Sequence, residues 1–124
     1  MTGPLVLVAE DDPSVRMTLD FVLKDEGFEV VCANDGVEAL EKARELIPAV
    51  ILLDHKMPKM DGQEVYAELR MDDSTKHIPV LVLSGMSRDG GKGWEGAEFV
   101  GKPFSPDQLV ATIRKVLGEK AVES

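Results

Sequence analysis

A single cysteine, Cys32, rules out an internal disulfide, and no grouping of histidine and cysteine has the spacing of a zinc site. Within the run Glu29 to Ala33 it reads as a small buried core residue, with a reactive thiol as the alternative. Basic residues are few as well. Fourteen Lys and Arg against 23 Asp and Glu leave a net charge of −9. A field of that sign repels nucleic-acid phosphates and anionic lipid surfaces, which argues against both as partners; it suits a cation or a basic protein, with a plain solvated acidic surface as the commoner alternative. No apolar run approaches the roughly 18 residues of a membrane span. The start, Met-Thr-Gly-Pro, lacks the basic residues and apolar stretch of a signal peptide, so the expected location is cytoplasmic. Internal repeats and low-complexity tracts are absent too. What remains is a chain of 124 residues, 44% of them hydrophobic, long enough to bury one core without disulfides or structural metal.

Short uncharged runs alternate with amphipathic stretches. Leu5 to Ala9 has the pattern of a buried strand and ends on Glu10, Asp11 and Asp12. Asp12 followed by Pro13 predicts a helix cap with proline at the first helical position, where its missing N–H costs nothing. Val15, Leu19 and Val22 give that helix its inner stripe, and Gly27 ends it. Glu29 to Ala33 is a second strand. Asn34-Asp35-Gly36 then caps a helix whose stripe reads Val37, Leu40, Ala43, Arg44 and Ile47, with the Arg44 stem beside it and Pro48 as its stop. A third strand precedes a loop to Gly62 and a helix carrying Val65 and Leu69. Val80 to Leu83 is a fourth strand, ending on Ser84, and Glu98 to Gly101 a fifth, ending at Lys102. Ser105 and Gln108 have capping-box spacing before a last helix with Leu109, Ile113 and Val116 inward. Gly118 to Ser124 reads as a frayed, flexible tail. Strands free of charge that alternate with helices imply an α/β fold, a doubly wound five-stranded parallel sheet with helices on both faces. One domain, residues 1–124 with a core of about 5–117, accounts for the chain.

Residues 50 to 62 draw the most attention. Val50, Ile51, Leu52 and Leu53 do not alternate with polar residues, as expected of a strand covered on both faces, and the run stops abruptly on Asp54. From this segment alone, Asp54 is either a turn cap before Pro58 or a group placed for chemistry at the sheet edge where α/β proteins bind ligands. The other strands weigh in. In a parallel sheet the carboxyl ends of strands one, three, four and five share one edge, and they carry Glu10 and Asp11, Asp54, Ser84 and Lys102. Three carboxylates at one place repel unless they share a cation. Ligands that are all oxygen suit a hard ion such as Mg2+. A lysine and a hydroxyl opposite suit phosphoryl oxygens as charge develops on them.

Val-Ala-Glu-Asp-Asp-Pro-Ser-Val-Arg at 8–16, Leu-Asp-His-Lys-Met-Pro-Lys-Met-Asp-Gly at 53–62, Val-Leu-Ser-Gly at 82–85 and Gly-Lys-Pro-Phe at 101–104 resemble the receiver domain of two-component response regulators, the CheY-like family. The resemblance spans about residues 5–117. It implies a flavodoxin-like sheet with strand order 2-1-3-4-5, and a phosphorylation-activated signalling switch. In that reading a histidine kinase or histidine phosphotransfer protein donates a phosphoryl group to Asp54. Glu10, Asp11, Asp54 and the backbone carbonyl of Lys56 hold Mg2+. Ser84 and Lys102 contact the phosphoryl group, and Phe99 moves with Ser84 as the switch. The only chemistry is then phosphotransfer onto the chain itself and slow loss of the phosphate, in a stand-alone receiver that signals through protein contacts or relays phosphate.

Some positions depart from that family's pattern. Only 17 residues, 85–101, separate Ser84 from Lys102, and they include Gly85, Gly90, Gly91, Gly93 and Gly96. Each costs a helix interior about 1 kcal/mol relative to Ala. The fourth helix of the family is therefore expected to be short, displaced or disordered here. Its stretch is either a remodelled partner surface anchored by Trp94 or a neutral shortening with Trp94 over the core edge. Glu10 stands where the family more often has Asp. His55 follows the acceptor where an apolar residue is usual, either tuning phosphate lifetime or sitting half-buried on a backbone partner. Lys56 and Met86 occupy positions that adjust dephosphorylation in similar proteins, and His77 is expected in solvent. Two other functions compete. A Mg2+-dependent phosphatase with an aspartyl-phosphate intermediate would need a second Asp two residues after the nucleophile, where Lys56 stands. A phosphorylation-independent interaction module would not need the pocket residues, and all of them are present.

Overall fold

A computed structural model of the chain describes residues 3–55, 60–84, 96–101 and 104–118. In chain order the elements are β1 (Leu5–Ala9), α1 (Pro13–Asp25), β2 (Glu29–Ala33), α2 (Gly36–Leu46), β3 (Val50–Asp54), α3 (Gly62–Met71), β4 (Val80–Ser84), β5 (Glu98–Gly101) and α4 (Pro106–Val116). The five strands form one sheet in the order β2-β1-β3-β4-β5, and every neighbouring pair is parallel. That is the doubly wound arrangement the alternation implied.

Successive strand residues face opposite sides, and each side is covered. Leu7, Ala9, Ile51, Leu53, Val80 and Val82 pack with Leu40, Ala43, Val65, Tyr66 and Leu69 of α2 and α3. Val6, Val8, Val50, Leu52, Leu81 and Leu83 pack with Leu19, Leu23, Leu109, Val110 and Ile113 of α1 and α4. Burial on both sides is why the central strands tolerate no charge until their last residue.

The helix ends follow the sequence. Asp12 caps α1 by accepting from the Ser14 N–H, with Pro13 in the first turn. Gly27 takes up φ +95°, the left-handed conformation that glycine adopts without a Cβ penalty. Ser105 accepts from the Gln108 N–H at 3.4 Å. Asp61 and Glu64 form a full capping box at the start of α3, which the sequence reading did not identify.

Two side-chain expectations are corrected. In α2 the buried stripe is Gly36, Ala39, Leu40 and Ala43, whereas Val37 and Ile47 are exposed. The Arg44 guanidinium reaches toward α3, 3.0 Å from Asp72 and 3.5 Å from Glu68, in an exposed cluster that contributes little. Cys32 is half-buried rather than buried, because β2 is an edge strand, though burial still pushes its thiol above the ordinary range. His77 is exposed, as expected. The stretch expected to carry the short, displaced or disordered fourth helix, with Met86 and Trp94, lies outside the described residues, as do residues 119–124 of the expected tail. No described helix is long and apolar enough to cross a membrane.

Candidate functional site

Parallel pairing of β1 with β3 sets the register Ala9 to Leu53, so the next residue of each chain segment, Glu10 and Asp54, emerges side by side at the carboxyl edge. A carboxylate oxygen from each of Glu10, Asp11 and Asp54 lies within 4.8 Å of the other two. Glu10 is 1% and Asp54 7% exposed, while Asp11 faces solvent. Two buried carboxylates and a third beside them repel in a medium of low dielectric, and folding would have to oppose that repulsion. A small divalent cation removes it. The donors are all oxygen and one side of the cluster is open to water, a combination that suits Mg2+ with several retained waters.

The backbone around the cluster is tightly held. The Glu10 N–H donates to Ala33 O of β2 at 3.2 Å, and the Asp12 N–H donates to Glu10 Oε2 at 3.2 Å. Beyond Asp54 the chain turns back on itself. The His55 N–H donates to Leu83 O of β4 and the Gly62 N–H donates to His55 O, each at 3.1 Å. A Cβ on Gly62 would stand 2.4 Å from Asp54 O, and one on Gly36 would stand 2.1 Å from Met60 O. Both glycines are therefore required by close backbone approach, which brings the starts of α2 and α3 against Met60 and against Asp54 and His55.

The other predicted residues fall as follows. Ser84 is the last residue of β4 and pairs with Gly101 of β5, so the backbone sets the end of β4 one residue beyond the level of Asp54. Phe99, on β5, is half-buried against the α2 and α3 side of the core. His55 is half-buried. Lys56 and Lys102 lie outside the described residues. Among the described residues the structure thus joins Glu10, Asp11 and Asp54 into one cluster and aligns Ser84 by register. Sequence reasoning passed over Arg16, whose guanidinium donates to Glu10 O at 2.9 Å and to Asp11 O at 3.3 Å. Spacing along one helix gives no sign that a side chain will turn back to the preceding loop.

Residues 6–114 match the family described as "Response regulator receiver domain". A probable transcriptional regulator, ycf27, of Guillardia theta is 39% identical over 94% of this chain and 46% of its own length. The DNA-binding response regulator MtrA of Mycolicibacterium smegmatis is 39% identical over 88% of this chain and 48% of its own. The chain thus spans about half the length of these curated relatives. Among solved structures, the chemotaxis response regulator CheY4 of Vibrio cholerae superposes with a TM-score of 0.86 at 36% identity, covering 93% of this chain and 99% of that one. With a five-stranded parallel sheet in the order 2-1-3-4-5 and an acidic cluster at its carboxyl edge, the chain belongs to the response regulator receiver domain family of two-component signalling.

Proposed function

We propose that Asp54 is the phosphoacceptor of a signalling switch loaded by the phosphohistidine of a histidine kinase or histidine phosphotransfer protein. One observation carries the reading. Asp54 ends the central strand β3 at the sheet edge, buried, with the carboxylates of Glu10 and Asp11 converging on it. A buried carboxylate at a strand end has little solvation to shed before it attacks, and the flanking loops fix its direction.

In the proposed step a carboxylate oxygen of Asp54 attacks phosphorus, a P–O bond forms and the P–N bond to the donor imidazole breaks. The imidazole nitrogen leaves with the bond's electron pair and takes up a proton. Glu10 and Asp11, with Asp54 and the Lys56 carbonyl, would hold Mg2+, which when bound offsets negative charge on the phosphoryl oxygens. Lys102 and Ser84 would contact those oxygens from the neighbouring strand ends. Phe99, on the edge strand β5 opposite Val82 of β4, would repack when Ser84 moves, altering the face of β5. Attack of water on phosphorus later restores the carboxylate and releases inorganic phosphate. Turnover stays slow because Lys56 stands where an aspartyl-phosphate phosphatase has its general acid.

The net charge of −9 supports protein contacts as the way this unit passes its signal on. To test the acceptor, the protein is incubated with a small phosphodonor and Mg2+ and its intact mass recorded. A gain of one phosphoryl group in the wild type that vanishes with Asp54→Asn or with chelator supports the reading. A gain that survives Asp54→Asn refutes it.

A further inference from the structure

Arg16 sits in the first turns of α1, half-buried, and turns back over the loop it follows. One terminal nitrogen, Nη1, donates to both Glu10 O at 2.9 Å and Asp11 O at 3.3 Å, five and six residues earlier in the chain. Those two residues supply two of the three clustered carboxylates. The same loop is also held by the Glu10 N–H, which donates to Ala33 O of β2, and by the Asp12 N–H, which donates to the Glu10 side chain. The guanidinium thus ties the backbone carbonyls of both cluster residues to α1.

We propose that Arg16 is a positioning residue for the cation site, a latch that fixes the Glu10–Asp11 backbone so that both carboxylates converge with Asp54. This inference rests on the cluster being a cation site. Electrostatics gives it a clear sign. A positive charge beside the cluster by itself opposes a divalent cation, so if charge alone mattered, removing it would tighten binding. If the latch matters, removing it weakens binding, because the loop must be ordered when the cation arrives. A lysine would keep the charge, but its ammonium on a flexible stem lacks the rigid planar group that aims Nη1 at both carbonyls.

The experiment compares the full chain as wild type, Arg16→Met and Arg16→Lys. Mg2+ affinity is measured by calorimetry, Mn2+ affinity by electron paramagnetic resonance, and amide exchange by NMR without metal. The latch predicts Mg2+ binding about tenfold weaker in Arg16→Met, an intermediate loss in Arg16→Lys, and faster exchange at Asp11 and Asp12 with Leu7 and Val8 unchanged. Affinity in Arg16→Met equal to or tighter than the wild type overturns the proposal. Should Arg16→Met not fold, Arg16→Lys decides, and wild-type affinity in that variant also overturns it. A wild type that binds no Mg2+ overturns the cation reading of the cluster itself; the metal-free exchange then still reads the latch, and unaltered exchange at Asp11 and Asp12 would reject it.

Discussion

Replacing Gly62 by alanine separates steric need from conformational freedom where α3 meets the end of β3. Gly62 begins α3, and its φ is not in the left-handed region, so alanine strains no dihedral there. The added Cβ would nevertheless stand 2.4 Å from Asp54 O, 3.1 Å from His55 O and 3.2 Å from His55 Cα. Ordinary contact begins near 3.4 Å, so 3.4 − 2.4 = 1.0 Å of movement is needed against backbone, which cannot swing aside as a side chain can. Moving α3 away stretches the 3.1 Å bond from the Gly62 N–H to His55 O. Overpacking of this kind costs about 1–3 kcal/mol and a weakened hydrogen bond about 1 more, so the expected loss is about 2–4 kcal/mol. Gly101→Ala is the control. A Cβ there meets nothing within 4 Å, and the expected change is within about 0.5 kcal/mol of zero. Urea unfolding followed by circular dichroism measures both, with an unchanged m-value showing that the denatured state is the same. If Gly62→Ala were as stable as the wild type, or Gly101→Ala lost as much, close approach of the loop to Asp54 would not be what requires glycine.

Two further outcomes follow from the cap and charge geometry. Ile47 ends α2 at φ 45°, ψ 66°, a conformation that penalises β-branched residues, and it is 46% exposed. Ile47→Asn is expected to stabilise by roughly 0.5–1 kcal/mol, while Ile47→Val, which keeps the branch, should not; a lower urea midpoint for the asparagine variant would contradict this. Glu38 in the first turn of α2 accepts from the Asn34 N–H and pairs with Lys42, and these hold its carboxyl below the ordinary 4.5. A depressed carboxyl contributes stability that is present above its unfolded value and is lost as pH falls through the lower folded one. Melting temperature should therefore decline on acidification below about pH 4.5 less steeply in Glu38→Gln than in the wild type, and parallel acid limbs would remove Glu38 as a contributor.

The strands and the acidic residue that closes the central one were legible in the sequence because burial on both faces leaves a one-dimensional signature. A central parallel strand is uncharged along its whole length, and the first charge marks its exit, as at Leu53–Asp54. Caps were legible for the same local reason, since Asp12 and Ser105 act within a few residues of themselves. The α2 face was misread because the stripe was sought among large apolar residues. Its first buried member is Gly36, chosen for the nearness of Met60 rather than for hydrophobicity.

By itself, then, the sequence determined which residues form strands, where each strand ends, and which polar groups stand at those ends. That Glu10 and Asp11 meet Asp54 followed from the sequence only on the assumption of a parallel sheet; the tertiary structure supplies it, through the Ala9–Leu53 register of β1 with β3, and sets the three carboxylates within 4.8 Å. It alone decided the turn of Arg16 back onto Glu10 and Asp11, and the close approach of Gly62 to Asp54. Those features depend on where a side chain or backbone atom comes to rest against another segment. Residue type and period along one element leave that undetermined.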